Sequence, residues 1–332
     1  MHDRIMLTGA TGQDGTLLSR LISSINPGAR QFLMSRSSQT GETRSNVTWI
    51  KEDFVSPDSA NKTLEELSPN VIFHLSGSSS VAASWESPGI AMTSNSVVTA
   101  NLLEAARRMK SNPKVVLAGS SEIFPRGDYL ARESTPPGPS SPYGVSKSTN
   151  LELGRIYREV HGLDVSTAIM FNHESIIRDM RYVSRSISIQ AAAVSMGLIS
   201  EISVQSKTAS KDWGWAPDFV QALYLLAEKT DVGDLVIATG VRTSVLELAS
   251  LAIDAINRSG LTAVVELEGL PRPNDNEHPL GDSQKAGEIL GWSPKHLPSD
   301  FMRIMVENDV ALLASRGREY ASAELGKLQI RI

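Results

Sequence analysis

Thr8-Gly9-Ala10-Thr11-Gly12-Gln13-Asp14-Gly15 decides the fold, because the run Arg4-Ile5-Met6-Leu7 feeds directly into it and Leu17, Leu18, Leu21, Ile22 and Ile25 follow at helical spacing. A strand therefore enters a glycine-rich turn and leaves it as a helix over Gln13 to Ile25. The spacing distinguishes the three glycines: Gly9 permits the sharp turn, Gly12 lets backbone approach a pyrophosphate, and Gly15 lets the helix pack on the strand. The N-terminus of that helix offers free N–H groups and a positive dipole end to the phosphates of a dinucleotide.

Working outward, the next strand is Gln31 to Met34, ending at Ser35-Arg36-Ser37-Ser38. No acid stands there to bond a ribose 2′-hydroxyl; Arg36 and the flanking serines, Ser37 among them, suit a 2′-phosphate instead, which points to NADP. A third strand, Val47 to Lys51, leads to Asp53-Phe54, where the carboxylate either accepts from an adenine amino group or caps a helix, as Ser56 also can. Val71 to Leu75 runs into Ser76-Gly77-Ser78-Ser79-Ser80, a helix follows from about Asn95 to Met109, and the strand Lys114 to Ala118 ends at Ser120-Ser121-Glu122. Strands alternating with helices imply right-handed crossovers and a Rossmann-like, doubly wound parallel α/β sheet, with ligands beyond the carboxyl ends of the strands.

Composition narrows the field. At 332 residues the chain exceeds the usual growth of one core, so a large domain with a smaller companion lobe is expected. There is no run of about 18 apolar residues and no charged-then-apolar leader, so the expectation is a cytoplasmic protein without a membrane partner. The absence of cysteine excludes disulfides and thiolate catalysis. Histidines at 2, 74, 161, 173, 278 and 296 show no ligand pairing, so no metal is expected. A net charge of -5 argues against nucleic acid.

The strongest chemical signal is Ser141-Pro142-Tyr143-Gly144-Val145-Ser146-Lys147. Proline at a helix start puts Tyr143 and Lys147 one turn apart on one face, where the ammonium favours the phenolate and reaches a nicotinamide ribose. A tyrosine so activated serves as a base at neutral pH.

These motifs together resemble the extended short-chain dehydrogenase/reductases, and within them the GDP-mannose 4,6-dehydratase family. The likeness extends through Ser84-Trp85-Glu86-Ser87-Pro88, Phe171-Asn172-His173-Glu174-Ser175, Asp212-Trp213-Gly214, Val236-Ile237-Ala238-Thr239-Gly240 and Leu290-Gly291-Trp292-Ser293-Pro294. It implies oxidation of a sugar C4 hydroxyl with NADP, loss of water across C5 and C6, and return of the hydride to C6. Tyr143 would be the C4 base, Lys147 its partner and ribose anchor, Ser120 the hydroxyl on the C4 oxygen, and Glu122 the group that takes the C5 proton and gives it to the C6 hydroxyl. The resemblance further implies that Gly9, Thr11, Gly12, Gln13, Asp14, Gly15, Arg36, Ser37, Asp53, Phe54, Leu75, Ser76, Tyr143, Lys147 and His173 hold the cofactor. Ser79, Glu86, Ser121, Asn172, Arg178, Val183, Lys211, Arg272 and Glu277 would hold a nucleotide-diphosphate sugar, a GDP-hexose first among them, in a homodimer or homotetramer.

Residues 1–172 with about 211–242 form the expected NADP-binding domain, and about 173–210 with 243–332 the substrate lobe. Arg181 to Met196 reads as an amphipathic helix with Val183, Ile187, Ala191 and Val194 on one face. The departures from the family pattern fall in this lobe: Ile176-Ile177-Arg178-Asp179 replaces Pro-Arg-Arg-Gly, Lys211 replaces the arginine of Arg-Asp-Trp, Gln205-Ser206 replaces Gly-Asn, and Ser186 replaces a lysine. A 4-reductase or 4-epimerase, in which Glu122 is only an ion-paired or capping acid, and a non-catalytic regulatory member of the fold are the alternative readings.

Overall fold

The glycine turn lies at the centre of a parallel sheet in the computed structural model, which describes residues 3–36, 44–256, 263–266, 278–328 and 330. The expected ligands Ser37, Arg272 and Glu277 lie outside the described residues. In chain order the first half comprises β1 (Arg4–Thr8), α1 (Gln13–Ile25), β2 (Arg30–Ser35), β3 (Val47–Lys51), α2 (Pro57–Leu67), β4 (Val71–His74), α3 (Val81–Glu86), α4 (Pro88–Met92), α5 (Val98–Arg108), β5 (Lys114–Ala118), β6 (Leu130–Ala131) and α6 (Pro142–His161). The second half comprises β7 (Val165–Met170), β8 (Asn172–Glu174), α7 (Val183–Ser195), β9 (Glu201–Val204), β10 (Ser210–Trp215), α8 (Ala216–Ala227), β11 (Leu235–Ile237), β12 (Arg242–Ser244), α9 (Val245–Ala255), β13 (Ala263–Glu266), β14 (Leu280–Gly281), α10 (Gln284–Leu290) and α11 (Pro298–Lys327).

Seven strands form the main sheet in the order β11-β7-β5-β4-β1-β2-β3, every pair parallel. The order reverses at β1, which pairs with β2 on one side and β4 on the other, so the glycine turn opens into the crevice where such sheets bind ligands. One face is covered by α1, α8 and α10, burying Leu18, Ile22, Phe73, Phe219, Leu223 and Leu290. The other is covered by α2, α5 and α6, burying Met6, Met34, Leu64, Leu102 and Val115. Each fully buried side chain of this size contributes about 1.5–3 kcal/mol.

Two further apolar clusters lie around α7. Ile187, Ala191 and Val194 pack with Trp213, Leu248, Phe301 and Met305, whereas Ile189, Ala192 and Ala193 meet Leu313, Ala321 and Leu325. Instead of the expected single apolar face, α7 is therefore buried nearly all round. Its polar residues find partners inside: the Arg185 guanidinium is paired with Asp309, and Gln190 bonds both main-chain groups of Ser203.

The sequence reading missed two local features. The helix expected from Asn95 is a π turn over Thr93–Val97 before α5 begins, an insertion of the kind that polar side chains bonding sideways allow. Lys211 lies outside the main sheet, in a three-stranded sheet of order β12-β10-β8. The polar alternation of Lys211-Asp212 and Asn172-His173 hid those strands.

Two markers of the resemblance act as clasps between segments. Asp212 accepts from Thr239 N at 2.9 Å, Thr239 Oγ1 at 2.5 Å, Gly240 N at 2.8 Å and Gly281 N at 3.2 Å. Asp218, on α8, accepts from Lys295 N and His296 N, each at 2.8 Å, and its carbonyl accepts from Trp292 Nε1 at 2.8 Å.

Candidate active site

The cofactor crevice is shaped by close approaches. Gly9 has φ +67°, and a Cβ there would stand 2.6 Å from Leu75 O; a Cβ on Gly15 would stand 2.5 Å from Gly9 O. No side chain caps the first turn of α1, where Gly12 is the N-cap, so the turn's N–H groups are left for an anion. Thr11 and Gly12 are exposed, as is Arg36 immediately after β2. Leu75 N and Ser76 N both donate to Thr8 Oγ1 at 3.2 Å, which fixes the end of β4 against β1. This donor set, with a cradle that any Cβ would fill, fits a dinucleotide.

Four expected cofactor ligands use their side chains elsewhere. Gln13 bonds Ser175 Oγ at 2.7 Å and His173 O at 3.1 Å, and the Asp14 carboxylate lies 3.0 Å from His173 Nε2. Only the main chain of Gln13 and Asp14 is left for the phosphates; their side chains tie α1 to β8. Phe54, with φ +58°, sends its ring into the core; its N–H donates to Glu52 at 3.3 Å and its carbonyl accepts from Asn101 at 2.9 Å. Asp53 is exposed and accepts from Val55 N at 3.0 Å, which is a turn contact and not a helix cap.

The reacting side chains are brought together by α6. Ser141 caps it by accepting from Gly144 N at 3.0 Å, Pro142 opens it, and Ser84 Oγ accepts from Tyr143 N at 3.2 Å. Gly144 is needed because a Cβ there would lie 2.4 Å from Glu122 O: the helix start rests on the turn that carries Ser120 and Glu122. Ser120 Oγ accepts from Glu122 N at 3.2 Å and also hydrogen-bonds the Tyr143 phenol. Lys147 Nζ donates to Ala118 O at 2.8 Å and lies 5.9 Å from the Tyr143 ring centroid.

Sequence reasoning expected the ammonium to activate the tyrosine, and the protein groups alone do the reverse. Burial, with the negative charge of Glu122, pushes Tyr143 up to about 12 despite the Ser120 bond. Burial likewise lowers Lys147 to about 8, against the pull of Asp14.

Around this centre, Arg178 stacks its guanidinium 3.7 Å from the Tyr182 ring centroid and lies 3.4 Å from Glu174, while Tyr182 Oη bonds Ser79 Oγ at 2.9 Å. Glu86 is exposed at the end of α3, Ser121 lies in the 3₁₀ turn with Glu122, and Asn172 opens β8. Val183 packs on the apolar cluster of the lobe, which leaves only its main chain for a ligand. Lys211, an expected substrate ligand, lies 3.6 Å from Glu122 Oε1. Sequence reasoning missed Asn95, whose Nδ2 donates to Ser146 Oγ at 2.8 Å and whose Oδ1 is buried without a protein partner. It also missed Arg126 and His278; the i,i+4 spacing of Glu122 and Arg126 was the available signal for the first.

A family model described as GDP-mannose 4,6 dehydratase matches residues 6–305. GDP-mannose 4,6 dehydratase 1 of Arabidopsis thaliana is 30% identical, over 96% of this chain and 92% of that protein. The GDP-mannose 4,6-dehydratase of Sinorhizobium fredii (strain HH103) is 28% identical, over 94% and 99% respectively. The chain spans 63% of the length of GDP-mannose 4,6-dehydratase sdnI of Sordaria araneosa, at 29% identity over 96% of this chain. Among solved structures, UDP-glucose 4-epimerase of Thermotoga maritima with UDP-glucose superposes at TM-score 0.80 and 21% identity, over 93% of this chain and 99% of that one. RMD of Pseudomonas aeruginosa complexed with NADPH superposes at TM-score 0.78 and 20% identity, over 93% and 99%. At such identities the likeness is one of fold.

Proposed function

The chain belongs to the GDP-mannose 4,6-dehydratase family, and from that premise we propose that it converts a nucleotide-diphosphate hexose, GDP-mannose first among them, into the 4-keto-6-deoxy sugar with NADP recycled in the site. Gly9, Gly12, the first turn of α1, Arg36, Tyr143 and Lys147 would hold the cofactor. Bound there, NADP would supply the hydride acceptor for C4 and the hydride donor for C6. The chain's own groups move the protons. Tyr143 takes the C4 hydroxyl proton while Ser120 bonds the same oxygen. Glu122 takes the C5 proton, made acidic by the C4 ketone, and gives it to the C6 hydroxyl, which leaves as water.

The observation that carries this reading is the seating of Glu122 beside Tyr143: Gly144 puts the phenol's helix directly on the turn that bears the carboxylate. A buried carboxylate beside the phenol supports a role in the C5 proton transfer. The competing reading, a 4-reductase or 4-epimerase, is favoured by the pairing of Glu122 with Arg126 at 3.0 Å, since an ion-paired acid can be structural. The discontinuous division into an NADP-binding domain and a substrate lobe, and assembly into at least a dimer, are parts of the same proposal.

Single turnovers separate the readings. Glu122→Gln is expected to oxidise C4 yet lose water elimination by about 100- to 10,000-fold, accumulating reduced cofactor with absorbance near about 340 nm. Tyr143→Phe is expected to show neither absorbance nor product. Turnover with NAD in place of NADP is expected to be slower, and less so after Arg36→Ala. Near-normal 4-keto-6-deoxy product from Glu122→Gln, or a wild type that only reduces or epimerises C4, overturns the dehydratase reading.

A further inference from the structure

Three parts of the chain converge on the carboxylate of Glu122. Its Oε2 accepts from Arg126 Nη2 at 3.0 Å, and its Oε1 lies 3.6 Å from Lys211 Nζ on β10 and 3.8 Å from His278 Nδ1, just before β14. Arg126 also donates from Nε to Ser140 Oγ at 2.9 Å, in the loop that delivers α6, and its Nη1 meets the His278 ring. His278 is suited to receive that N–H, because burial and the cations Lys211, Arg126 and Arg242 hold its pKa far below the usual histidine range and keep the ring neutral. Arg242 Nη1 fixes the segment in turn by donating to His278 O at 2.9 Å. The Arg126 fork is thus held on two sides, by Ser140 and His278, before it reaches Glu122.

We propose that Arg126, backed by Ser140 and His278, is a positioning residue that fixes the Glu122 carboxylate for the elimination step, and that Lys211 closes the clamp from the other side. The inference rests on the dehydratase reading above. A glutamate free to rotate about its side-chain bonds would visit the geometry needed at C5 only part of the time, and a misplacement of about 1 Å costs on the order of 100-fold. In the step itself the C5–H bond breaks and its proton joins Glu122; that proton then passes to the C6 oxygen, the C6–O bond breaks, and the former C5–H electron pair becomes the C5–C6 double bond as water departs.

The test uses the NADP-loaded enzyme and the nucleotide sugar that the wild type dehydrates. Arg126→Met is expected to oxidise C4 within a few-fold of the wild-type rate and to eliminate water about 100-fold more slowly, so that reduced cofactor accumulates. Added guanidinium ion is expected to restore part of the elimination. Arg126→Lys, which keeps the charge and loses the fork, is expected to fall between, and it serves if Arg126→Met does not fold. A merely structural role would lower oxidation and elimination together, and that result overturns the clamp, as does unimpaired elimination in either variant. A wild type that never eliminates water defeats the dehydratase reading and the clamp with it, whereas a dehydrating wild type matched by its Arg126 variants defeats the clamp alone.

Discussion

His173 sets both ring nitrogens against acceptors, Nδ1 on Phe171 O at 2.7 Å and Nε2 on the Asp14 carboxylate at 3.0 Å. A neutral imidazole has one N–H and would leave one contact between two acceptors, so the ring is held as the cation. Burial opposes this, but the Asp14 charge and bond outweigh it and raise the His173 pKa; His173 and Arg178 in turn outweigh the burial of Asp14 and hold it at about 2. The signs give a window. The histidine's contribution is complete below its ordinary 6.5 and fades as pH rises through its raised folded value. The aspartate's is complete above its ordinary 3.8 and fades as pH falls toward about 2. His173→Gln is therefore expected to lower the unfolding free energy by roughly 1–3 kcal/mol near pH 5 to 6, with the gap shrinking at alkaline pH. Urea titrations of both proteins across that range check it; a gap that does not change with pH refutes the pairing. Both residues stood in motifs legible in the sequence, but their contact joins positions 159 residues apart, and nothing local announces it.

At the level of elements, α6 shows how much a short segment must reconcile. Its first turn carries Tyr143, its second Lys147, and between them Gly144 makes room for the Glu122 carbonyl where no side chain fits. Because the obstructing atom is backbone, Gly144→Ala cannot be relieved by a rotamer change. It is expected to cost about 1–3 kcal/mol of stability and to impair oxidation and elimination alike, unlike the Arg126 variants. Denaturant unfolding and single turnovers on Gly144→Ala test this; an alanine variant of full stability and rate would show that the seat is not needed. The ends of α6 and α1 fall where the sequence puts them because Ser141, Pro142 and Gly162 punctuate the one and Gly12 opens the other. Strands β8, β10 and β12 carry no such marks. Several of their residues are polar and bond distant segments, as Asp212 and Arg242 do, so no period-two apolar signal forms.

For the whole molecule, α6 and the segments beside it also expose Val97, Val145, Ile156 and Val160, with Trp85 and Ile90 nearby, all between 39% and 70% accessible. Apolar surface of this kind, gathered on one side, suits a second copy of the chain. Light scattering at micromolar concentration is expected to give at least twice the single-chain mass, and Val160→Glu is expected to reduce it; a monomer for the unmutated protein would remove the proposed assembly.

The strand order also has a consequence for synthesis on the ribosome. The β11 edge of the main sheet is residues Leu235–Ile237, and α10, which helps cover the face bearing Leu18, Ile22 and Phe73, ends at Leu290. A nascent chain that has delivered its glycine turn and both halves of the tyrosine–lysine pair still lacks α8, α10 and that last strand. Part of its apolar face waits with α1 alone as cover while more than a hundred further residues are translated, and such transiently exposed surface is open to aggregation and to chaperones during elongation.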